Sequence, residues 1–364
     1  MLNKEKTFHI VLWMPSWIGD VVLSLPAIQS LRKMYPNARI TSIVRFPTGQ
    51  LLNNHTLVDS VVQFPKNKED GYIKQYNYAR GFRKYKFDLG IIFANSFHSA
   101  LMLTVMGARL RIGYRTEGRQ ILLTHSIPVT VKEKKTLHRV KYFHKILSPL
   151  HSEPTPDCYD LNWTKESSLG LNKTLHSVGV DKKDFIITIH PGASKLERAW
   201  HAERFGILCQ NLIKAYSAKI LLLGTNEEKL LLDNISSFCP PENIITVIKL
   251  NLFEITQLLK ASQLFVGNDS GLLHLASLVD TPVVGIFGPG QASTTGPFIE
   301  IKKQEIVTRN YPCSPCNQRF FKECEPSLHQ KPECIESISV KEVSDAVQKI
   351  VKRLKLFKTV GEYM

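Results

Sequence analysis

The sequence predicts an α/β protein built from two Rossmann-like, doubly wound parallel-sheet domains that face a central cleft. Three observations carry this expectation. Short apolar runs alternate with longer segments of helical period along most of the chain, the rhythm of βαβ units. That rhythm occurs once in each half, with a polar, Ser- and Asn-containing stretch at 151–183 between them. The length, 364 residues, suffices for two domains that each bury a core.

In the first half, His9-Ile10-Val11-Leu12-Trp13 reads as a buried strand, and the helical period then runs from about Val21 to Met34, stopped near Pro36. Arg39 to Val44, Ser60 to Phe64 and Leu89 to Phe93 read as further strands. A polar helix dotted with aromatics, roughly Tyr72 to Tyr85, precedes the last of them. In the second half, strands are expected at Phe185 to Ile189, Lys219 to Leu223, Ile244 to Ile248, Leu264 to Val266 and Val283 to Phe287. The helices between them fall at about Ala202 to Tyr216, Glu227 to Phe238, Phe253 to Lys260 and Gly271 to Leu278. An amphipathic helix, Val340 to Leu354, closes the pattern. The expected division is 1–170 for the first domain, 171–340 for the second, and 341–364 for a terminal helix and tail.

Composition narrows the function classes. With 43% hydrophobic and 22% charged residues the chain is globular. No apolar run approaches the ~18–20 residues of a membrane-spanning helix. The N-terminal cations Lys4 and Lys6 lead into a strand rather than a secretory leader. A cytoplasmic protein with reduced cysteines is expected. The net charge is +15, and ten cations crowd Arg109 to Lys145 against only Glu117 and Glu133. Nucleic acid, an anionic membrane surface or an acidic small substrate would each suit such a face, although a charge run is more often simply a solvated surface that aids solubility. No zinc-finger, RNA-recognition or helix-turn-helix signature accompanies it, so nucleic acid is not favoured.

Four segments could carry chemistry. Gly267-Asn268-Asp269-Ser270-Gly271-Leu272-Leu273-His274 joins a strand to a helix, with Asp269 and Ser270 as N-cap types and Gly271 permitting close approach. Free N–H groups and the positive dipole end there suit a diphosphate, although an ordinary capped helix has the same pattern. His190-Pro191-Gly192-Ala193-Ser194 leads to Lys195, Arg198 and Trp200, a loop able to wrap a phosphate with backbone, hydroxyl and cations. Gly224-Thr225-Asn226-Glu227 ends the next strand, where a carboxylate can accept ribose hydroxyls or simply favour a helix start. Pro15-Ser16-Trp17-Ile18-Gly19-Asp20 follows the first strand. Beside apolar Trp17 and Ile18, the Asp20 carboxyl could have a raised pKa and act as a general base, or it could cap the helix. There is no G-x-G-x-x-G, no P-loop and no Asp-x-Asp, so neither a dinucleotide, an NTPase nor a catalytic divalent metal is favoured. Cys313, Cys316, Cys324 and Cys334 begin with a C-x-x-C knuckle. They could hold structural zinc or remain free thiols.

Taken together, these segments resemble the glycosyltransferase family 9 heptosyltransferases. The resemblance rests on Met14-Pro15-Ser16-Trp17-Ile18-Gly19-Asp20 with Leu25-Pro26, on Arg111-Ile112-Gly113-Tyr114-Arg115 leading to Arg119, and on His190-Pro191-Gly192-Ala193 ending at Trp200. Asn268-Asp269-Ser270-Gly271-Leu272-Leu273-His274, followed by Pro282 and Phe287-Gly288-Pro289, completes it in the family's order. The opening is most like that of the heptosyltransferase II branch.

The resemblance implies a GT-B fold and inverting transfer of heptose from ADP-heptose to the inner core of lipopolysaccharide, with no cofactor or catalytic metal. Asp20 would be the general base. Donor contacts would come from Ser194, Lys195, Arg198, Thr225, Glu227, Asp269, Ser270, Gly271, Leu272 and His274. Arg115, Arg119 and Arg139 would meet the acceptor at the anionic inner face of the inner membrane, making the enzyme peripheral there. Two positions depart from the family pattern: Arg198 stands where a Lys is usual and His201 where a Pro is usual. A sugar-nucleotide epimerase on the same fold is the alternative enzyme class.

Overall fold

A computed structural model describes residues 8–53, 56–65, 67–159, 173–181, 183–313 and 316–357. The chain divides into two compact units, Met1–Glu166 and Ser167–Met364.

In the first unit, six strands form one wholly parallel sheet. They are β1 (His9–Trp13), β2 (Arg39–Val44), β3 (Ser60–Gln63), β4 (Leu89–Ile92), β5 (Leu110–Tyr114) and β6 (His125–Ile127), in the order β3-β2-β1-β4-β5-β6. β1 and β4 are apolar on both faces because the sheet is covered on both sides, so neither strand shows alternation. Helix Ile18–Met34 follows β1 and is buried from Val21 through Leu31. Helix Arg139–Lys145 packs against it, and the His144 ring meets the Ser30 hydroxyl at 3.1 Å.

The second unit repeats the winding. β7 (Ile186–His190), β8 (Lys219–Leu223), β9 (Ile244–Val247), β10 (Leu264–Asn268), β11 (Val283–Phe287) and β12 (Gln304–Thr308) are again all parallel, in the order β12-β11-β10-β7-β8-β9. Helices Ala202–Tyr216, Leu252–Ala261 and Gly271–Leu278 lie close to their expected positions. Helix Val340–Leu354 opens with a reciprocal Ser339–Glu342 capping box and buries Val343, Val347 and Ile350 in the same core as β7, β8 and β10. It lies within the second unit, Ser167–Met364.

Each sheet reverses its winding once, between β1 and β4 in the first unit and between β7 and β10 in the second. Loops beyond the carboxyl ends of strands at such reversals are where open parallel sheets bind ligands. Among the described residues no helix is long and apolar enough to cross a membrane.

Candidate active site

Asp20 follows β1 at the first unit's reversal. The helix begins at Ile18 with Trp17 as its N-cap residue, and no side chain caps it. Asp20 therefore lies inside the first turn, where the helix dipole favours a carboxylate, and it is not the cap. Burial raises the Asp20 carboxyl above its ordinary range, and the Arg139 guanidinium pulls it partly back. The expected source of that burial was only partly right: Trp17 is 69% exposed.

Arg139 is itself held by the ring of Tyr142, 5.1 Å away. Tyr142 accepts a hydrogen bond from Asn95 Nδ2 at 2.7 Å, and its carbonyl accepts one from the Tyr114 hydroxyl at 2.5 Å. Arg119 completes this network from beneath. Its Nε donates to the Tyr114 carbonyl at 2.8 Å, one terminal nitrogen donates to Asn95 Oδ1 at 3.0 Å, and the other donates to the Ala94 carbonyl. The side chain is completely buried, and burial pulls its pKa down to about 10. Arg119 thus ties the loop after β4 to the end of β5, with its guanidinium bonded to internal acceptors. Arg115 stays exposed in the loop after β5.

In the second unit the loops after β7 and β10 are laced together. Asn268 donates to the Pro191 carbonyl at 2.6 Å and accepts from the Trp200 backbone N–H at 3.1 Å. The indole N–H of Trp200 reaches the Ile338 carbonyl at 2.9 Å. Arg198 forms an ion pair with the Asp269 carboxylate, donates to the Asp269 carbonyl at 3.0 Å, and reaches Ser194 Oγ at 3.4 Å. Burial raises the Asp269 carboxyl, and Arg198 opposes that rise. The buried Nε of Arg198 has no partner. A Cβ on Gly290 would fall 2.0 Å from Asp269 Oδ2, so the pair needs a glycine there.

Neither expected cap residue caps. Asp269 is taken by Arg198, and the Ser270 hydroxyl lies 3.1 Å from His190 Nδ1. Helix Gly271–Leu278 consequently begins without a side-chain cap, which leaves its first N–H groups to an anion. Leu272 and His274 are buried within this helix.

After β8, Thr225 and Glu228 form a capping box, with the Thr225 N–H donating to Glu228 Oε2 at 2.8 Å. Glu227, the expected ribose contact, is exposed. The carboxylate turned toward the β7 loop is Glu228: a Cβ on Gly192 would lie 2.0 Å from its Oε1 and 2.9 Å from His190 Nε2. Burial lowers the His190 pKa, and Glu228 works against that lowering. The Thr-x-x-Glu spacing of a capping box was the signal in the sequence for Glu228. Lys195 is drawn over the ring of Phe320, 5.1 Å away.

The profile of "Glycosyltransferase family 9 (heptosyltransferase)" matches residues 76–324. The chain belongs to glycosyltransferase family 9. This glycosyltransferase is 23% identical over 355 residues to lipooligosaccharide heptosyltransferase 2 of Campylobacter jejuni subsp. jejuni, covering 94% of this chain and 98% of the relative. It is 24% identical over 281 residues to lipopolysaccharide heptosyltransferase 3 of Escherichia coli, covering 74% of this chain and 80% of the relative. Its fold matches the structure of E. coli ADP-heptose lipopolysaccharide heptosyltransferase II with a TM-score of 0.78 at 19% identity, over 96% of this chain and 100% of the other. The fold of the family 9 enzyme is accordingly of GT-B type, with one Rossmann-like sheet in each unit.

Proposed function

We propose that this glycosyltransferase moves L-glycero-D-manno-heptose, with inversion, from its ADP derivative to the inner core of lipopolysaccharide, without a catalytic metal. The observation that carries this reading is Asp20: a partly buried carboxylate with a raised pKa, in the first turn of the helix after β1, at the winding reversal of its sheet. A carboxylate whose pKa is raised above its ordinary range is a stronger base for taking a proton in the transition state. Asp20 removes the acceptor hydroxyl proton as that oxygen attacks the anomeric carbon. The bond from that carbon to the diphosphate breaks on the opposite face, and its electron pair leaves with ADP.

Charge accumulating on the leaving diphosphate needs fixed donors. The uncapped start of helix Gly271–Leu278, the Ser194 hydroxyl, Lys195 and the unpartnered Nε of Arg198 supply them. Asp269 holds Arg198 in place, Ser270 is fixed by His190, and Thr225, Glu227 and Glu228 stand at the end of the adjacent strand for ribose hydroxyls. Arg115 and Arg139 are the cations left for acidic groups of the acceptor.

The carboxyl edge of the first sheet also supports a peripheral place on an anionic membrane. Loops and helices there expose Trp17, Phe46, Tyr72, Ile73, Phe97 and Ile121, with the Arg109–Lys145 cations in the same unit. The deciding experiment is ADP release from ADP-heptose with and without a heptosylated Kdo–lipid A acceptor. Release that needs acceptor, and that neither Mg²⁺, Mn²⁺ nor brief EDTA alters, is the expected result. Release without acceptor, or dependence on a divalent cation, rejects the mechanism.

A further inference from the structure

Beside the loop after β7, outside every contact assigned so far, three metal-ligating side chains converge. The first is His201. It stands at the N-cap position of helix Ala202–Tyr216, yet its side chain does not cap that helix. Its Nε2 lies 2.8 Å from Glu336 Oε2 instead. Glu336 closes the short helix Glu333–Glu336, which buried Ile335 anchors in the core of the second unit. The third side chain is His329, whose Nδ1 lies 3.1 Å from the other carboxylate oxygen, Oε1. The three ligand atoms all fall within 4.8 Å of one another, and the two imidazole rings stand edge to face with centroids 5.2 Å apart.

The chain around His329 is shaped to present it there. Between Arg309 and Lys331 none of the described side chains is buried, so no core orders this turn. Local bonds do. Pro326 and Pro332 form an antiparallel bridge, the Ser327 N–H donates to the Lys331 carbonyl at 2.8 Å, and the Gln330 N–H donates to the Ser327 carbonyl at 3.0 Å. Ser327 Oγ accepts from the N–H groups of His329 and Lys331, each at 3.2 Å, and donates to Glu336 Oε2 at 2.9 Å. One hydroxyl thus ties the turn that carries His329 to the carboxylate that His329 faces. On its other side the turn is fastened by Lys331 Nζ, which donates to the Leu196 carbonyl at 2.8 Å.

Two imidazoles around one carboxylate gain little by themselves. The His329 ring is 66% exposed, and such a contact in water contributes at most about 1 kcal/mol. A divalent cation uses the same three groups better. Nitrogen and oxygen ligands about 2.0–2.2 Å from a zinc-like ion stand about 3.3–3.5 Å apart, a spacing close to the one seen here, and the exposed His329 ring can turn to make the difference. The carboxylate also has the outer support that metal-ligating carboxylates receive. Ser327 holds Oε2, and Arg204 reaches Oε1 at 3.1 Å while anchored on the Glu336 and Ile338 carbonyls.

We propose that His201 Nε2, His329 Nδ1 and the Glu336 carboxylate form a site for a divalent cation of the zinc, cobalt or nickel type, which clamps the 326–332 turn to the head of helix Ala202–Tyr216. Water completes the coordination. Imidazole ligands favour such ions over Mg²⁺ and Ca²⁺. As the ion binds, a neutral ring moves its proton to the other nitrogen and a charged ring releases one to solvent, so no oxidant or reductant is involved. No step of sugar transfer is assigned to the ion. Its effect falls on the stiffness of the chain that leads from Leu196 to His201.

The test is titration of the full-length, reduced, metal-stripped protein with Zn²⁺ and Co²⁺, beside His329→Ala and His201→Asn. The first variant alters an exposed side chain, and the second keeps a side-chain donor for Glu336, so both leave the fold in place. The parent should bind about one more Zn²⁺ per chain than either variant. Its Co²⁺ form should show visible d–d bands without sulfur-to-cobalt charge transfer. Zn²⁺ should raise the Tm of the parent more than that of either variant. Equal uptake by parent and variants, or Co²⁺ held only with thiolate charge transfer, overturns the site. Uptake that needs both histidines but leaves Tm unchanged overturns the clamp. No sugar or nucleotide enters these measurements, so their failure is separable from failure of the heptose assignment.

Discussion

Burial raises the Asp20 carboxyl and Arg139 lowers it again, so the acid limb of the transfer rate should follow that balance. As the proposed base, Asp20 works only when ionised, and activity is expected to fall as pH drops through its pKa. Arg139→Gln removes the opposing pull, the pKa climbs, and the limb of kcat/KM moves to higher pH; Arg139→Lys, which keeps the charge, moves it less. A limb that stays in place in Arg139→Gln rejects the coupling. Asp20→Asn should cost about 10²–10⁴-fold in transfer while leaving ADP affinity as it was. Its effect on stability runs the other way. A carboxyl whose folded pKa is raised contributes stability below its unfolded pKa and loses it as pH rises through the folded one. Near neutral pH, Asp20→Asn should therefore melt no lower than the parent enzyme. A marked fall in Tm would mean the side chain is structural. In the second unit, Arg198→Ala leaves the Asp269 carboxylate, 7% exposed, buried without its partner, a loss of about 3–5 kcal/mol. Adding Asp269→Asn should recover part of it in urea titrations. Arg198→Lys keeps a charge but not the fork that holds Asp269, so ADP should bind more weakly to it.

Most of the helices and the central strands were legible because their signals are physical and local. A fully buried parallel strand is a short apolar run, and Ile187, Leu221, Phe265 and Val284 mark such runs plainly. The strands that escaped reading are those at the sheets' far sides. β5 carries Arg111, β6 has three residues, and β12 is partly exposed along its length. Neither pattern nor length separates these from loop. Asp20 and the Asp269–Gly271 start were visible as residue types after a strand. What each side chain bonds was not, since Arg198 meets Asp269 across 71 positions of sequence and Glu228 meets the β7 loop through the fold. Arg119 shows the same limit most clearly. In sequence it is one more cation in a basic stretch, and only tertiary structure places it under Tyr114 and Asn95. Removing it orphans several buried acceptors at about 1–3 kcal/mol each, so Arg119→Met should lower stability by about 3 kcal/mol or more, and lysine should not rescue it. An exposed arginine would show almost no change. At the β7–β10 pair, a Cβ on Gly267 would meet the His190 carbonyl at 2.8 Å and the Phe265 ring at 2.9 Å. Because backbone cannot step aside as a side chain can, Gly267→Ala should disturb both donor loops together.

For the whole molecule the question is where +15 of net charge is spent. A basic surface that serves only solubility should respond to vesicles in proportion to charge and detach completely in salt. The first unit offers something more. All its strands are parallel, so the loops that follow them emerge at one edge, and those loops expose Trp17, Phe46, Phe97 and Ile121, with Tyr72 and Ile73 after β3. Apolar side chains in that number, in the same unit as Arg115, Lys132, Lys134 and Lys135, combine an electrostatic component with an insertion component. The two respond differently to ionic strength. Screening at 0.15 M already limits exposed charges to about 8 Å, whereas apolar burial is not screened. Binding to vesicles containing anionic lipid should therefore fall steeply between low and physiological salt and then level off above zero. Lys132→Glu, Lys134→Glu and Lys135→Glu together should remove the steep part, and Tyr72→Ser with Ile73→Ser should remove the plateau. Sedimentation with vesicles at several salt concentrations reads both. Equal binding to neutral and anionic vesicles, or complete release at moderate salt from the parent enzyme, would reduce the basic stretch to a solvated face and leave the acceptor's own acidic groups as the reason for Arg115 and Arg139.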